Sequence, residues 1–128
     1  MEKTCKLFVF GTLKIGGHFA KRFDHLRIDS RPASTQGKMF SVHGSYPAVD
    51  FFAEGQISGE IHEYKNPEEV ISEMDLIEGY REGNPNNLYN RIKIAIPTKN
   101  GKEEEVYTYS FNRDTSGLKP VESGEWII

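Results

Sequence analysis

Gln56-Ile57-Ser58-Gly59-Glu60-Ile61-His62-Glu63-Tyr64 runs through Lys65 into Asn66-Pro67-Glu68-Glu69-Val70-Ile71-Ser72-Glu73-Met74-Asp75-Leu76-Ile77-Glu78-Gly79. The join between these halves is the clearest boundary in the chain. Up to Tyr64 the residues alternate, with Ile57, Gly59, Ile61 and Glu63 on one face and Ser58, Glu60, His62 and Tyr64 on the other, as in a strand. Beyond it, Asn66 is placed to cap a helix, Pro67 to occupy its first position and Glu69 to close a capping box. The helix is predicted to run to about Glu78, with Gly79 as a left-handed stop.

Outward toward the N-terminus, Lys6-Leu7-Phe8-Val9-Phe10 reads as a buried strand ended by Gly11. Gly16 and Gly17 precede His18 to Leu26, where Phe19, Phe23 and Leu26 recur at helical spacing and predict a short helix. Gln36 to Val42 is a weaker strand, and His43-Gly44-Ser45-Tyr46-Pro47 a turn or binding loop. Toward the C-terminus, Asn84 to Leu88 is a polar loop, and Asn90 to Ile96 alternates with Ile92, Ile94 and Ile96 on one face. Lys99-Asn100-Gly101-Lys102 signals a hairpin into a returning strand, Glu105 to Phe111, with Tyr107, Tyr109 and Phe111 alternating. The apolar tail Trp126-Ile127-Ile128 is expected to be tied down. Five or six strands, two helices and a late hairpin indicate an α+β fold rather than a doubly wound parallel sheet. With no repeat, low-complexity tract or linker, residues 1–128 are expected to form one domain.

Composition sets the outer bounds. The 128 residues carry 16 Lys and Arg against 19 Asp and Glu, a formal net charge of −3. Eight Phe, six Tyr and one Trp supply a core, and a chain of this size buries roughly 65–70% of its unfolded surface. Disorder and strongly basic nucleic-acid binding are both disfavoured. No apolar run reaches the roughly 20 residues of a membrane span, and Met1-Glu2-Lys3-Thr4-Cys5-Lys6 does not resemble a signal peptide. The single Cys5 fits a reducing compartment, so a soluble cytoplasmic protein is expected. The charge is uneven: residues 1–38 hold eight basic and three acidic side chains, whereas 60–82 hold eight acids against Lys65 and Arg81.

Most catalytic signatures fail on inspection. The four histidines (18, 25, 43 and 62) show no metal-binding spacing, no Cys joins them, and they read as scattered surface or loop residues. Gly-x-Ser-x-Gly is absent, and Gly17-His18 stands where a P-loop needs Lys and Ser or Thr. What remains at Gly11 is a strand entering a glycine-containing turn, whose backbone N–H groups suit a small anion or simply form a tight turn. The helix after Pro67 is more informative. At ~100° per residue, Val70, Ile71, Met74 and Ile77 define an apolar arc of about 120°. Glu68, Glu69, Glu73 and Asp75 fall outside that arc and are expected to face water, as an acidic helix surface usually does. Glu78 falls inside it. Desolvation and the negative end of the helix dipole would both raise its pKa, making it a candidate general base. Two competing readings are fraying before Glu78 and neutralisation by Arg81 or Arg91. Glu60 reads as structural or solvated, opposite Ile57 and Ile61.

Taken in order, several segments form a resemblance. Phe8-Val9-Phe10-Gly11-Thr12-Leu13-Lys14 resembles the N-terminal Tyr-Gly-Thr/Ser-Leu signature of the γ-glutamylcyclotransferase-like family, which includes the γ-glutamylamine cyclotransferases and AIG2-like proteins. Gly44-Ser45-Tyr46-Pro47-Ala48, Ile57-Ser58-Gly59-Glu60-Ile61, Met74-Asp75-Leu76-Ile77-Glu78-Gly79-Tyr80, Tyr89-Asn90-Arg91, Val106-Tyr107-Thr108-Tyr109 and Ser123-Gly124-Glu125-Trp126 are similar to further family segments. The resemblance implies a small mixed β-barrel with flanking short helices. It also implies release of 5-oxoproline from a small-molecule γ-glutamyl amine or γ-glutamyl amino acid, with no metal or organic cofactor. By the same resemblance Glu78 is the acid/base, and Phe10, Gly11, Thr12 and Leu13 hold the γ-glutamyl group through backbone contacts. Tyr46 and Tyr89 are candidates for a polar tip nearby or for aromatic packing. Phe10 replaces the family's usual Tyr; the change matters if that hydroxyl touches substrate and is nearly neutral if only the ring packs. A non-catalytic binding module that keeps the pocket is the alternative. Neither the leaving group nor the oligomeric state is legible.

Overall fold

The computed structural model describes residues 3–98 and 100–127. Met1 and Glu2 of the N-terminal run, Lys99 of the expected hairpin and Ile128 of the tail lie outside the described residues. The strands are β1 (Thr4–Val9), β2 (Arg27–Gln36), β3 (Lys38–Val42), β4 (Tyr46–Asp50), β5 (Gln56–Lys65), β6 (Tyr89–Pro97), β7 (Glu103–Phe111) and β8 (Lys119–Pro120). One α-helix, α1 (Pro67–Glu78), and a 3-10 turn (Ala20–Phe23) complete the described elements.

The apolar run Leu7-Phe8-Val9 that ends β1 follows from its place in the middle of a sheet ordered β2-β5-β1-β7-β6. Leu7 and Val9 point to a core shared with Val70 and Met74 of α1, while Phe8 points to a second core with Phe51, Ile61 and Val106. Both faces are buried along these three residues, so no polar alternation survives there, whereas Thr4 and Lys6 at the start of the strand remain polar and partly exposed. β1 runs antiparallel to β5 from Thr4↔Lys65 to Val9↔Glu60, and parallel to β7 at Leu7↔Tyr107. A second sheet, β4-β3-β8, packs beside the first. The α+β class holds, but the five-stranded sheet ends at β2 and β6, so its hydrogen bonding does not close into the expected barrel.

Several local expectations are corrected. The second helix is only a 3-10 turn: Phe19, Phe23 and Leu26 are carried by successive three-residue turns, with Ala20 N–H donating to Gly17, Arg22 to Phe19 and Leu26 to Phe23. β2 is polar and was not legible as a strand; its pairing with β5 makes it one, and Pro32 is tolerated because β2 is a sheet edge. A bulge between Arg27 and Asp29 leaves Ile28 exposed. The turn at His43 to Ser45 ends in a strand, since Tyr46 already belongs to β4. Trp126 packs against the second core, but Ile127 is 77% exposed, so only part of the tail is tied down.

Helix α1 has the predicted bounds and buries Val70 and Met74, with Ile71 and Ile77 against the same core. Asn66 does not cap it through its side chain, because the residue is left-handed (φ 52°) rather than in the extended conformation that capping needs. The C-terminus is fixed more firmly. Gly79, at φ 70°, donates to the Leu76 carbonyl, and Tyr80 donates to Asp75 at 2.8 Å, the paired bonds of a Schellman motif. No described helix is long and apolar enough to cross a membrane.

Gly59 lies just beyond the Val9↔Glu60 end of the β1–β5 ladder, where an added Cβ would meet the Val9 carbonyl oxygen and lie 2.8 Å from the Phe8 ring. Gly59→Ala is therefore expected to lower the unfolding free energy by about 1–3 kcal/mol in urea titration. Unchanged stability would contradict this packing.

Candidate functional site

Two stretches of chain meet across a cavity of about 580 Å³. One is the turn that follows β1; the other is the end of α1 with the β4 and β6 residues beside it. The cavity is lined by every residue singled out from the sequence: Phe10, Gly11, Thr12 and Leu13 on one side, and Glu78, Tyr46 and Tyr89. His18, Phe19, Ile77, Leu88 and Tyr109 also line it and were not singled out. Tyr109 had a usable signal, its place in the alternating β7, but periodicity does not say which buried tyrosine faces a cavity.

The turn is held by its own backbone. Lys14 N–H donates to the Gly11 carbonyl, Gly17 to Lys14 and Phe19 to Thr12, at 2.8–3.0 Å. These bonds use the carbonyls of Gly11 and Thr12 and leave their N–H groups open. Among the hydrogen bonds of the described residues, none is donated by the backbone of Gly11, Thr12 or Leu13. Three successive backbone N–H groups without a partner thus belong to residues that line the cavity, donors of the kind that small anions use. Phe10 sets this turn through its ring, which packs at 5.6 Å from Phe51 and 6.3 Å from Phe8. The ring, at least, has a packing role that does not need the family's hydroxyl.

Opposite stands Glu78. The Schellman bonds exclude fraying before it, and neither arginine neutralises it. Arg81 is exposed, and Arg91 is ion-paired with Asp75 instead. Glu78 has no hydrogen bond or ion pair among the described residues. Burial raises its carboxyl from an ordinary 4.5 to about 7. Glu68, Glu69 and Glu73 face water as expected, but Asp75 does not: it also accepts from the Tyr109 hydroxyl at 2.7 Å. The wheel failed there because Asp75's partners come from β6 and β7, beyond any local pattern. Arg91 is thereby engaged by Asp75, and no positive charge is paired with Glu78 among the described residues.

The two tyrosines differ. Tyr89 donates its hydroxyl to the Pro47 carbonyl at 2.9 Å, so its ring lines the cavity while its polar tip is engaged elsewhere. Burial, then Glu78, push its pKa upward, keeping it neutral. Tyr46 is half-buried, 6.5 Å from Tyr89 between ring centroids, and its hydroxyl has no partner among the described residues. Of the histidines, His18 is exposed at the cavity rim, His25 and His43 are exposed, and His62 is fully buried in β5, contrary to the surface or loop placement expected for it. No cluster of three or more potential metal ligands occurs among the described residues.

The raised Glu78 pKa has a thermodynamic signature. In the folded state the group binds a proton up to about pH 7, and in the unfolded state only to about 4.5. Its contribution to stability is therefore complete below pH 4.5 and is lost as pH rises to 7. Glu78→Gln removes this loss. The variant is expected to match the wild type near pH 4 and to exceed it by about 2–3 kcal/mol at pH 8, by denaturation at both pH values. An equal gap at both would contradict the assigned environment.

Comparison with known proteins agrees with this geometry. A family model described as gamma-glutamyl cyclotransferase, AIG2-like, matches residues 7–127. The gamma-L-glutamyl-butirosin B gamma-glutamyl cyclotransferase of Niallia circulans is 33% identical over 110 residues, covering 84% of this chain and 67% of that protein. Among solved structures, YkqA from Bacillus subtilis superposes with a TM-score of 0.69 at 23% identity, over 97% of this chain but only 40% of that one. An AIG2-like protein from Mus musculus gives 0.69 at 17% identity, over 97% and 88% of the two chains. At these identities the structural matches speak to the fold alone. The matched span takes in the turn at Gly11 and the end of α1, and the chain belongs to the gamma-glutamyl cyclotransferase, AIG2-like family.

Proposed function

We propose that the protein is a γ-glutamyl cyclotransferase that releases 5-oxoproline from a γ-glutamyl amine, with Glu78 as general acid and base. The observation that carries this reading is a desolvated, unpartnered carboxyl sharing one cavity with three open backbone N–H groups. The family membership and the relative's name support the reaction type.

The substrate supplies its own nucleophile, so folding it is most of the task. Glu78 takes a proton from the substrate α-ammonium, and the freed nitrogen attacks the γ-carbonyl carbon. The carbonyl π electrons move to oxygen, giving a tetrahedral oxyanion. Its collapse breaks the bond to the leaving amine, which is protonated by Glu78. The α-nitrogen loses two protons in all and the leaving amine gains two, so the carboxyl ends as it began and the exchange is redox-neutral. A pKa near 7 suits a group that must accept and return a proton at neutral pH. The N–H groups of Gly11, Thr12 and Leu13 hold an anionic oxygen of the substrate, either the α-carboxylate or the developing oxyanion.

The charge of the lining favours amines over amino acids as leaving groups. Among the described residues no Lys or Arg lines the cavity, and Glu78 is its one carboxylate. A γ-glutamyl amino acid would bring a second carboxylate without a fixed cation to meet it, at a desolvation cost. Phe19, Ile77 and Leu88 offer apolar surface instead.

The test is 5-oxoproline release from γ-glutamyl alkylamines and from γ-glutamyl amino acids of matched size. The wild type is expected to favour the amines by about tenfold or more in kcat/KM, with activity rising through about pH 7 as Glu78 ionises. Glu78→Gln is expected to fold and lose at least ~1,000-fold in kcat. Wild-type binding of these compounds without turnover would leave a binding module. Turnover by the variant would remove Glu78 from the chemistry.

A further inference from the structure

His62 is fully buried in β5, yet no step of the proposed reaction uses it. Its neighbours explain its placement. The Nε2 atom lies 2.8 Å from Glu60 Oε1, and Nδ1 lies 2.7 Å from the Tyr64 hydroxyl and 3.3 Å from Arg27 Nε. An arginine Nε–H can only donate, so Nδ1 must accept, and the imidazole proton resides on Nε2, where it is donated to Glu60. The tautomer is fixed by its surroundings. Burial holds the His62 pKa below its usual value, in keeping with a neutral ring facing a guanidinium.

Both ends of this chain of bonds leave β5 and grip the segment that follows β1. Glu60 Oε1 also accepts the backbone N–H of Ile15 at 3.0 Å. Arg27 donates through its two terminal nitrogens to Asp24 at 2.6 Å and to the Ala20 carbonyl at 3.1 Å. The segment from Ile15 to Asp24 is thus tied to β5 at two points that meet on one imidazole. Immediately before it lie Gly11, Thr12 and Leu13, which line the cavity and whose N–H groups have no partner among the described residues, and the Phe19 N–H to Thr12 carbonyl bond couples the two. Nothing else from β5 bonds to this segment through a side chain among the described residues.

We propose that Glu60, backed by His62 and Arg27, is a positioning residue that holds the Gly11–Leu13 turn in its substrate-gripping form. The proposal rests on the functional reading above for the identity of the ligand. Glu60 does not itself line the cavity and takes no part in proton transfer; it acts through Ile15. The bond is a carboxylate-to-N–H contact at the edge of solvent, so its loss moves the turn without opening the core.

The experiment compares Glu60→Ala with Glu60→Gln in the full chain, since Gln keeps an oxygen that can accept from both Ile15 and His62. Three quantities are read: hydrogen exchange at the Ile15 amide, the Kd of a γ-glutamyl alkylamine in the Glu78→Gln background, and KM and kcat with Glu78 intact. Glu60→Ala is expected to lose Ile15 protection and to weaken binding and raise KM by about tenfold, with kcat within about threefold of the wild type. Glu60→Gln is expected to restore protection and recover most of the affinity. Retained protection and affinity in Glu60→Ala would overturn the proposal. So would equal losses in both variants with a matching fall in thermal stability, the result of a purely structural role. If the wild type binds the amine but turns over no substrate, the catalytic reading fails, while exchange and affinity still decide whether Glu60 positions the turn.

Discussion

The antiparallel ladder between β1 and β5 is the constraint on which the site depends. One end of it, Val9↔Glu60, opens into the Gly11–Leu13 turn; the other, Thr4↔Lys65, feeds α1. The twelve residues of α1 span about 18 Å, close to the length of the six-residue strand it packs on. A helix that starts at the Thr4 end therefore finishes at the Val9 end, and its last residue is Glu78. The helix length and the ladder register together bring a carboxyl to the open N–H groups. Gly59, just past the end of that ladder, leaves room for the Val9 carbonyl and the Phe8 ring because it carries no Cβ.

Around Glu78 the fold diverts the groups that would otherwise satisfy it. Arg91 is taken by Asp75, which also takes the Tyr109 hydroxyl, and Tyr89 is turned toward the Pro47 carbonyl. Tyr89 and Tyr109 are near enough for Glu78 to help raise their pKa values, and both hydroxyls are engaged by something else. An unpaired carboxyl in an apolar cavity is costly when ionised, and folding tolerates it because the proton stays on until about pH 7. A structural role offers no compensation for that cost, whereas an acid/base role requires it.

What the sequence revealed and what it hid divide along a physical line. The helical wheel places Glu78 on the apolar arc, and the Gly79 stop fixes the helix end, because both depend on neighbours within a turn or two. The same wheel places Asp75 in water, since it carries no information about Arg91 or Tyr109. His62 reads as a surface or loop residue because alternation puts it on a polar face with Glu60, and nothing local shows that Arg27, from a bulged strand distant in sequence, covers that face. β2 itself is invisible for a related reason: its polar residues become a strand through pairing with β5, not through an apolar face. The residues that the family resemblance implies for the site line one cavity, while the barrel it implied is replaced by two sheets whose hydrogen bonding remains open.

The central claim is that Glu78 is a desolvated carboxyl without a charged partner, poised to exchange a proton near neutrality. It is tested most directly by titrating the side-chain carboxyl carbon of Glu78 by NMR in isotope-labelled wild-type protein, assigned with the Glu78→Gln variant. The account predicts a midpoint of about 7. A midpoint at the ordinary 4.5 would show a solvated or paired carboxylate and contradict it.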